Sequence, residues 1–173
     1  MEHTEEIAIR TVTSANWRET LELAVRPEQL RFISEYAPIA AIALAKAYIR
    51  PGGMIWTPYA IYAGAMMVGF FTLAHEPDTT NQYWLFHFFI DQRYQGCGYG
   101  RAAMQRIIEL VRREQPQSRM LQLTVHPDNL VAQRLYTAAG FQQAGEEHWG
   151  EPVYQLALMH LRTANKTAMP QGP

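Results

Sequence analysis

A strongly apolar stretch, Tyr83 to Ile90, is followed within ten residues by three glycines in five positions, and then by a change of period. This junction constrains the chain more than any other feature. The run Tyr83-Trp84-Leu85-Phe86-His87-Phe88-Phe89-Ile90 is short and rich in aromatic residues, which suits a strand buried on both faces. Beyond it, Gly100, Ala103, Met104, Ile107, Ile108 and Val111 recur at helical spacing. Arg101, Gln105, Arg106, Glu109, Arg112 and Arg113 take the opposite face, so the segment reads as an amphipathic helix. Such a chain must lay a helix against a sheet.

The remaining segments extend this reading. Residues 7–12 form a first strand, and Ser14 or Asn16 caps a helix from Trp17 to about Val25. Glu28 to Ser34 is a further helical stretch, and Pro38 opens a third helix that Pro51-Gly52-Gly53 stops. Two strands, about 55–62 and 65–73, turn at Ala63-Gly64. Pro116 ends the amphipathic helix, and Leu121, Leu123 and Val125 alternate as a strand. A short helix follows from Asn129 to Ala139 with Gly140 at its C-terminal cap, and two strands close the chain. The expected fold is α/β, one domain over 1–163, with 164–173 as a frayed polar tail.

Composition removes several functions. Fifteen basic and sixteen acidic residues leave a net charge of −1, which argues against nucleic acid or an anionic membrane as partner. A single cysteine, Cys97, excludes an internal disulfide and a multi-cysteine zinc site, and the histidines lack metal-ligand spacing, so no metal is expected. Residues 51–74 carry no charge, but prolines and glycines break the run into strands rather than a membrane span. The N-terminus has no apolar core of a signal peptide, and the expected location is the cytoplasm.

The glycine loop Gln95-Gly96-Cys97-Gly98-Tyr99-Gly100 carries the chemistry. Glycines let the backbone approach a ligand closely, and the N-terminus of the following helix offers free N–H groups and a positive dipole end. Both favour a phosphate, with Arg93 and Arg101 as candidate charges. The dinucleotide pattern does not fit from Gly96, since Arg101 stands third and no acid lies near 118–120. No Lys follows the glycines as a kinase-type loop requires. Cys97 lacks a His or Asp in motif-like relation and reads as a loop residue rather than a nucleophile.

Asp91-Gln92-Arg93-Tyr94-Gln95-Gly96-Cys97-Gly98-Tyr99-Gly100, followed by the amphipathic helix, resembles the pyrophosphate-binding motif of the GNAT superfamily of acyl-CoA N-acyltransferases. Thr124-Val125-His126-Pro127-Asp128-Asn129, with Tyr136 and Gly140-Phe141 downstream, resembles its second motif. Within the superfamily, Trp84 to Gly96 is most similar to bacterial spermine/spermidine (diamine) acetyltransferases. The resemblance implies a mixed, mostly antiparallel sheet flanked by helices, and acetyl-CoA as co-substrate without a metal. It implies that backbone amides of Phe88, Phe89 and Ile90 meet the pantetheine and acetyl carbonyl. The pyrophosphate would lie on Gln95, Gly96, Cys97, Gly98, Tyr99, Gly100 and Arg101, with Asn129 contacting the cofactor and Tyr136 facing the thioester sulfur. A phenol, protonated at neutral pH, suits the proton donor for a leaving thiolate.

The chain departs from the polyamine acetyltransferases that it resembles at Phe86, where they usually carry an acid that takes the amine's proton. The acceptor is then either aromatic or apolar near its amine, or deprotonated through water. His87 is the neighbouring candidate base, with a structural role as the alternative. Glu35 is expected at the acceptor site, and Glu28, Glu76 and Asp78 lie in segments that border it in the family. The expected activity is acetyl transfer from acetyl-CoA to a primary, polyamine-like amine in a ternary complex. A non-catalytic acyl-CoA-binding module and a transferase for an amino acid, aminoglycoside-like or protein amine are the alternatives. The expected partner is a small-molecule amine, with a homodimer left open.

Overall fold

The structure is a computed structural model that describes residues 6–33, 38–79 and 81–158. Strand β1 (Ile7–Thr11) precedes a single helical turn α1 (Trp17–Thr20), a 3-10 turn at Pro27–Gln29 and the short α2 (Leu30–Ile33). Helix α3 (Ile39–Ile49) leads into β2 (Ile55–Ala63), β3 (Met66–His75) and β4 (Gln82–Ile90). Then come α4 (Tyr99–Glu114), β5 (Met120–Thr124), α5 (Leu130–Ala138), β6 (Gln142–His148) and β7 (Glu151–Ala157). The seven strands form one sheet in the order β1-β2-β3-β4-β5-β7-β6. Every pairing is antiparallel except β4 with β5. The expected mixed, mostly antiparallel α/β fold is what the chain adopts.

The sheet has a core on each face, which is why β3 is buried almost end to end. On one face α4 buries Ala103, Met104, Ile107, Ile108, Leu110 and Val111 against Phe71, Leu85 and Leu121. Each larger side chain contributes roughly 1.5–3 kcal/mol by leaving water. On the other face Ile39, Ala40 and Ala43 of α3 meet Phe70 and Phe89.

Three boundaries differ from the expectation. The first helix ends at Thr20, not near Val25, because Leu23 and Val25 are buried at a period of two and the chain there is held open. Ala24 donates to Asp91 Oδ2 (2.9 Å) and its carbonyl accepts from Gln92 N (2.7 Å), so a distant loop decides its conformation. The stretch from residue 27 begins as a 3-10 turn and continues as four residues of α2. The β2–β3 hairpin turns at Gly64-Ala65, one residue later than expected, with Gly64 at φ 58°. The 164–173 tail lies outside the described residues.

Candidate active site

The site begins where two strands part. β4 and β5 pair only at Gln82–Trp84 with Met120–Gln122. Beyond that point the edges separate, and the backbone groups facing the gap have no strand partner. A cleft of about 1020 Å³ fills this opening, lined by Leu85 to Ile90 on one side and Thr124, Val125 and Asn129 on the other. That is the size of a cofactor-binding cleft.

A bulge shapes the β4 side. Phe70 pairs with Phe89 but Thr72 with Phe86, so β4 holds one residue more than β3 across this interval. The bulge contains His87, at φ 52°. Here the strand is re-aimed ahead of Phe88, Phe89 and Ile90, as bulges near active sites do. Gly69 on β3 is its counterpart: a Cβ there would lie 2.6 Å from the Phe89 carbonyl oxygen and 3.0 Å from Ile90 Cδ1. Only a residue without a side chain lets β3 and the bulged β4 approach so closely.

At the C-terminal end of β4, Asp91 anchors the loop. Its buried carboxylate accepts from Arg93 N (2.9 Å), Arg93 Nε (2.7 Å) and Ala24 N. Burial alone would raise its pKa, but the Arg93 side chain and the two backbone donors hold it below the ordinary value. Arg93, expected as a ligand charge, is thus committed to Asp91. Gln95 donates to the Ile90 carbonyl (3.0 Å) and exchanges amide hydrogen bonds with Gln29 (2.9 and 3.2 Å), which fixes the start of the glycine loop. Gly96, Gly98 and Gly100 line the cleft, whereas Cys97, Tyr99 and Arg101 do not. Cys97 and Arg101 are exposed, and Tyr99 packs on the main core. Gly98 is the N-cap of α4 at φ 81° and supplies no side-chain cap, so the first N–H groups of α4 keep their donor capacity.

Across the gap, Asn129 caps α5, its Oδ1 accepting from Ala132 N (3.2 Å). Tyr136 follows two turns later on the same helix face and also lines the cleft. It is 7% exposed and packs on Phe141. Burial, with the Glu151 carboxylate, pushes its pKa up, so the phenol holds its proton throughout the neutral and mildly alkaline range.

The part of the cleft around Phe86 is aromatic. Phe86 lies between Trp56 (4.8 Å between ring centroids) and Trp149 (5.8 Å), with Trp84 at 6.0 Å. Lys46 of α3 sits over Trp56, 5.0 Å from its centroid, and donates from Nζ to His87 Nε2 at 3.3 Å, which assigns the ring proton to Nδ1. Burial and then the Lys46 charge lower the His87 pKa to about 4. His87 is therefore neutral and a weak proton acceptor. Burial also lowers Lys46. Among the described residues lining the cleft, Glu151 is the one acid, against Lys46 and Arg26. Glu28, Glu76 and Asp78 do not line it, and Glu35 lies outside the described residues.

Sequence reasoning missed Gln29, Lys46, Trp56, Gly69, Trp149 and Glu151. Of these, Trp149-Gly150 carried a signal, a tryptophan in a two-residue hairpin loop. The described non-glycine residues with positive φ are Arg50, His87 and Trp149. His87 and Trp149 line the cleft, and Arg50 precedes Pro51, which does too. Such conformations cost of order 1–3 kcal/mol each and collect at functional sites.

The acetyltransferase (GNAT) family model matches residues 15–141. The chain belongs to the GNAT family of acetyltransferases. This GNAT chain is 32% identical over 140 residues to a spermine/spermidine N(1)-acetyltransferase of Bacillus subtilis, covering 81% of the chain and 90% of that relative. Among solved structures, Vibrio cholerae spermidine N-acetyltransferase in complex with CoA and spermine shares the fold (TM-score 0.67, 16% identity), covering 88% of this chain and 96% of that one. The aminoglycoside acetyltransferase AAC(6')-Ib in complex with coenzyme A does so too (TM-score 0.69, 18% identity, 87% and 94% covered). Among the described residues, no three His, Cys, Asp or Glu side chains gather as metal ligands, and no helix is long and apolar enough to cross a membrane.

Proposed function

We propose that this protein transfers the acetyl group of acetyl-CoA to the primary amine of a small molecule, both substrates being bound together. The parted β4 and β5 carry this reading, because the cleft joins a glycine-lined helix N-terminus at one end to an aromatic chamber at the other. The pyrophosphate lies on the amides of Gln95 to Arg101, where the dipole of α4 favours negative charge. The pantetheine follows the unpaired edge of Phe88, Phe89 and Ile90, whose N–H groups polarise the acetyl carbonyl as charge develops on its oxygen. Asn129 holds the start of α5 against the cofactor.

The amine must attack in its neutral form. Its nitrogen bonds to the acetyl carbon, the carbon–sulfur bond breaks, and the amine's proton passes to water. Tyr136 donates a hydrogen bond to the departing sulfur. Its raised pKa makes full transfer to a thiolate, with an ordinary thiol pKa of about 8.5, unfavourable. The phenol therefore stabilises the thiolate while the thiol takes its final proton from solvent.

A polyamine acceptor is the second reading, favoured by the 32% identity to the Bacillus subtilis spermine/spermidine enzyme. The deciding experiment follows release of free thiol from acetyl-CoA across a panel of primary amines. Amine-dependent release supports the transferase. CoA binding with no release on any amine would make the protein an acyl-CoA-binding module.

A further inference from the structure

The acceptor chamber differs in chemistry from one built for a polycation. Its wall is a continuous series of rings, Trp56, Phe86 and Trp149, each within 6 Å of the next. Its nearest cation, Lys46, already occupies a face of Trp56. Lys46 hydrogen-bonds a neutral histidine rather than a carboxylate. A polyamine would bring two or more ammonium groups beside Lys46 and Arg26, with Glu151 as the one acid among the described lining residues. Like charges at close range in a half-buried cleft repel.

Trp149 adds an independent observation. It is 72% exposed, and its ring stands edge-on to Trp84 and near Phe86. It occupies the first loop position of the β6–β7 hairpin at φ 54°, followed by Gly150 at φ 77°. Such two-residue turns strongly favour Asn-Gly, and a bulky residue with positive φ is an outlier. The turn chemistry alone gives no reason for tryptophan, whereas a ring held over the cleft mouth does.

We infer that the acceptor is a primary amine carried on an aromatic body, an arylalkylamine whose ring stacks among Trp56, Phe86 and Trp149, and that Trp149 determines this specificity. The inference rests on the transferase reading and names its acceptor class. Rings at offset or edge-on geometry attract one another beyond simple burial, and water leaves both apolar surfaces. Lys46, a like charge beside the amine, would favour its neutral, nucleophilic form.

The test compares 2-phenylethylamine with spermidine, by thiol release at saturating acetyl-CoA, in wild type, Trp149→Asn and Phe86→Glu. The wild type should favour phenylethylamine by at least about tenfold in kcat/KM. Trp149→Asn suits the turn and should fold normally, yet raise the phenylethylamine KM by about three- to tenfold, the worth of one aromatic pair, without changing CoA affinity. Phe86→Glu should move the preference toward spermidine. If that variant fails to fold, Trp149→Asn alone decides. Wild-type preference for spermidine, an unchanged KM in Trp149→Asn, or a loss confined to CoA binding would overturn the inference. Should no amine be acetylated, the transferase reading fails separately. Quenching of tryptophan fluorescence in the CoA-bound protein then decides the inference: tighter binding of phenylethylamine than spermidine supports it, and equal or weaker binding overturns it.

Discussion

The end of the cleft proposed to take the cofactor and the end proposed to take the acceptor are built in opposite ways. The cofactor end is local: β4, the glycine loop and the first turn of α4 are consecutive in sequence, within Gln82 to Arg101. The acceptor end draws Lys46 from α3, Trp56 from β2, Phe86 and His87 from the β4 bulge, and Trp149 from the β6–β7 turn. In the proposed function, backbone amides hold the ligand at the first end and side chains do so at the second. A backbone site tolerates substitution wherever φ and the N–H are preserved, while a chamber of rings changes its ligand with each residue. A family can thus keep one donor and vary the acceptor.

Tyr136, which lines the cleft, is the residue proposed to meet the departing sulfur, and its removal should have the largest effect. Tyr136→Phe keeps the ring against Phe141 and removes a hydrogen-bond donor to developing charge, so it should lower kcat by roughly 10- to 1,000-fold and leave both KM values nearly unchanged. Steady-state thiol release checks this. Because burial raises the phenol's pKa, wild-type activity should show no descending limb near pH 10, contrary to what an unperturbed tyrosine would give. A variant with wild-type kcat would leave the sulfur to water alone.

Gly69→Ala tests whether the bulge is held by β3. Its Cβ would meet the Phe89 carbonyl at 2.6 Å, so β4 must shift, at a cost of about 1–3 kcal/mol. Denaturant unfolding should report that loss, and turnover should fall further than CoA affinity does. Equal stability would mean that the strands can separate freely there.

Gly98→Ala probes the cofactor end alone. Its Cβ meets no protein atom within 4 Å, so the effect must come from the φ of 81° and from the ligand. Acetyl-CoA affinity should weaken about tenfold, or 1.4 kcal/mol, with the acceptor KM unchanged. Unchanged affinity in calorimetry would remove the loop as the phosphate site.

An effect that appears only on acidification concerns His87, at the proposed acceptor end. Its pKa near 4 lies below the ordinary 6.5, so the stability it contributes is full above about pH 6.5 and lost as pH falls through 4. His87→Asn keeps an acceptor for Lys46 and tolerates positive φ, so it should flatten this acid loss by on the order of 2 kcal/mol. Urea midpoints between pH 7 and 4 measure it, and a parallel pair of curves would show that folding leaves the His87 pKa unshifted.

The sequence by itself determined the strand, the glycine loop, α4 and the capped α5, because period, glycine φ and helix capping act between residues a few positions apart. Asn129 and Tyr136 could be set on one face of α5 from spacing alone. Only the tertiary structure decided that the first helix stops at Thr20, since the hydrogen bonds opening the chain at Ala24 come from Asp91 and Gln92, nearly seventy residues away. It alone placed the bulge at His87, which depends on how β4 registers against β3 around Gly69. Apart from Phe86 and His87, the aromatic end of the cleft was illegible for the same reason. Lys46, Trp56, Phe86 and Trp149 share no local pattern, and they meet because a sheet brings distant strands and turns to one opening.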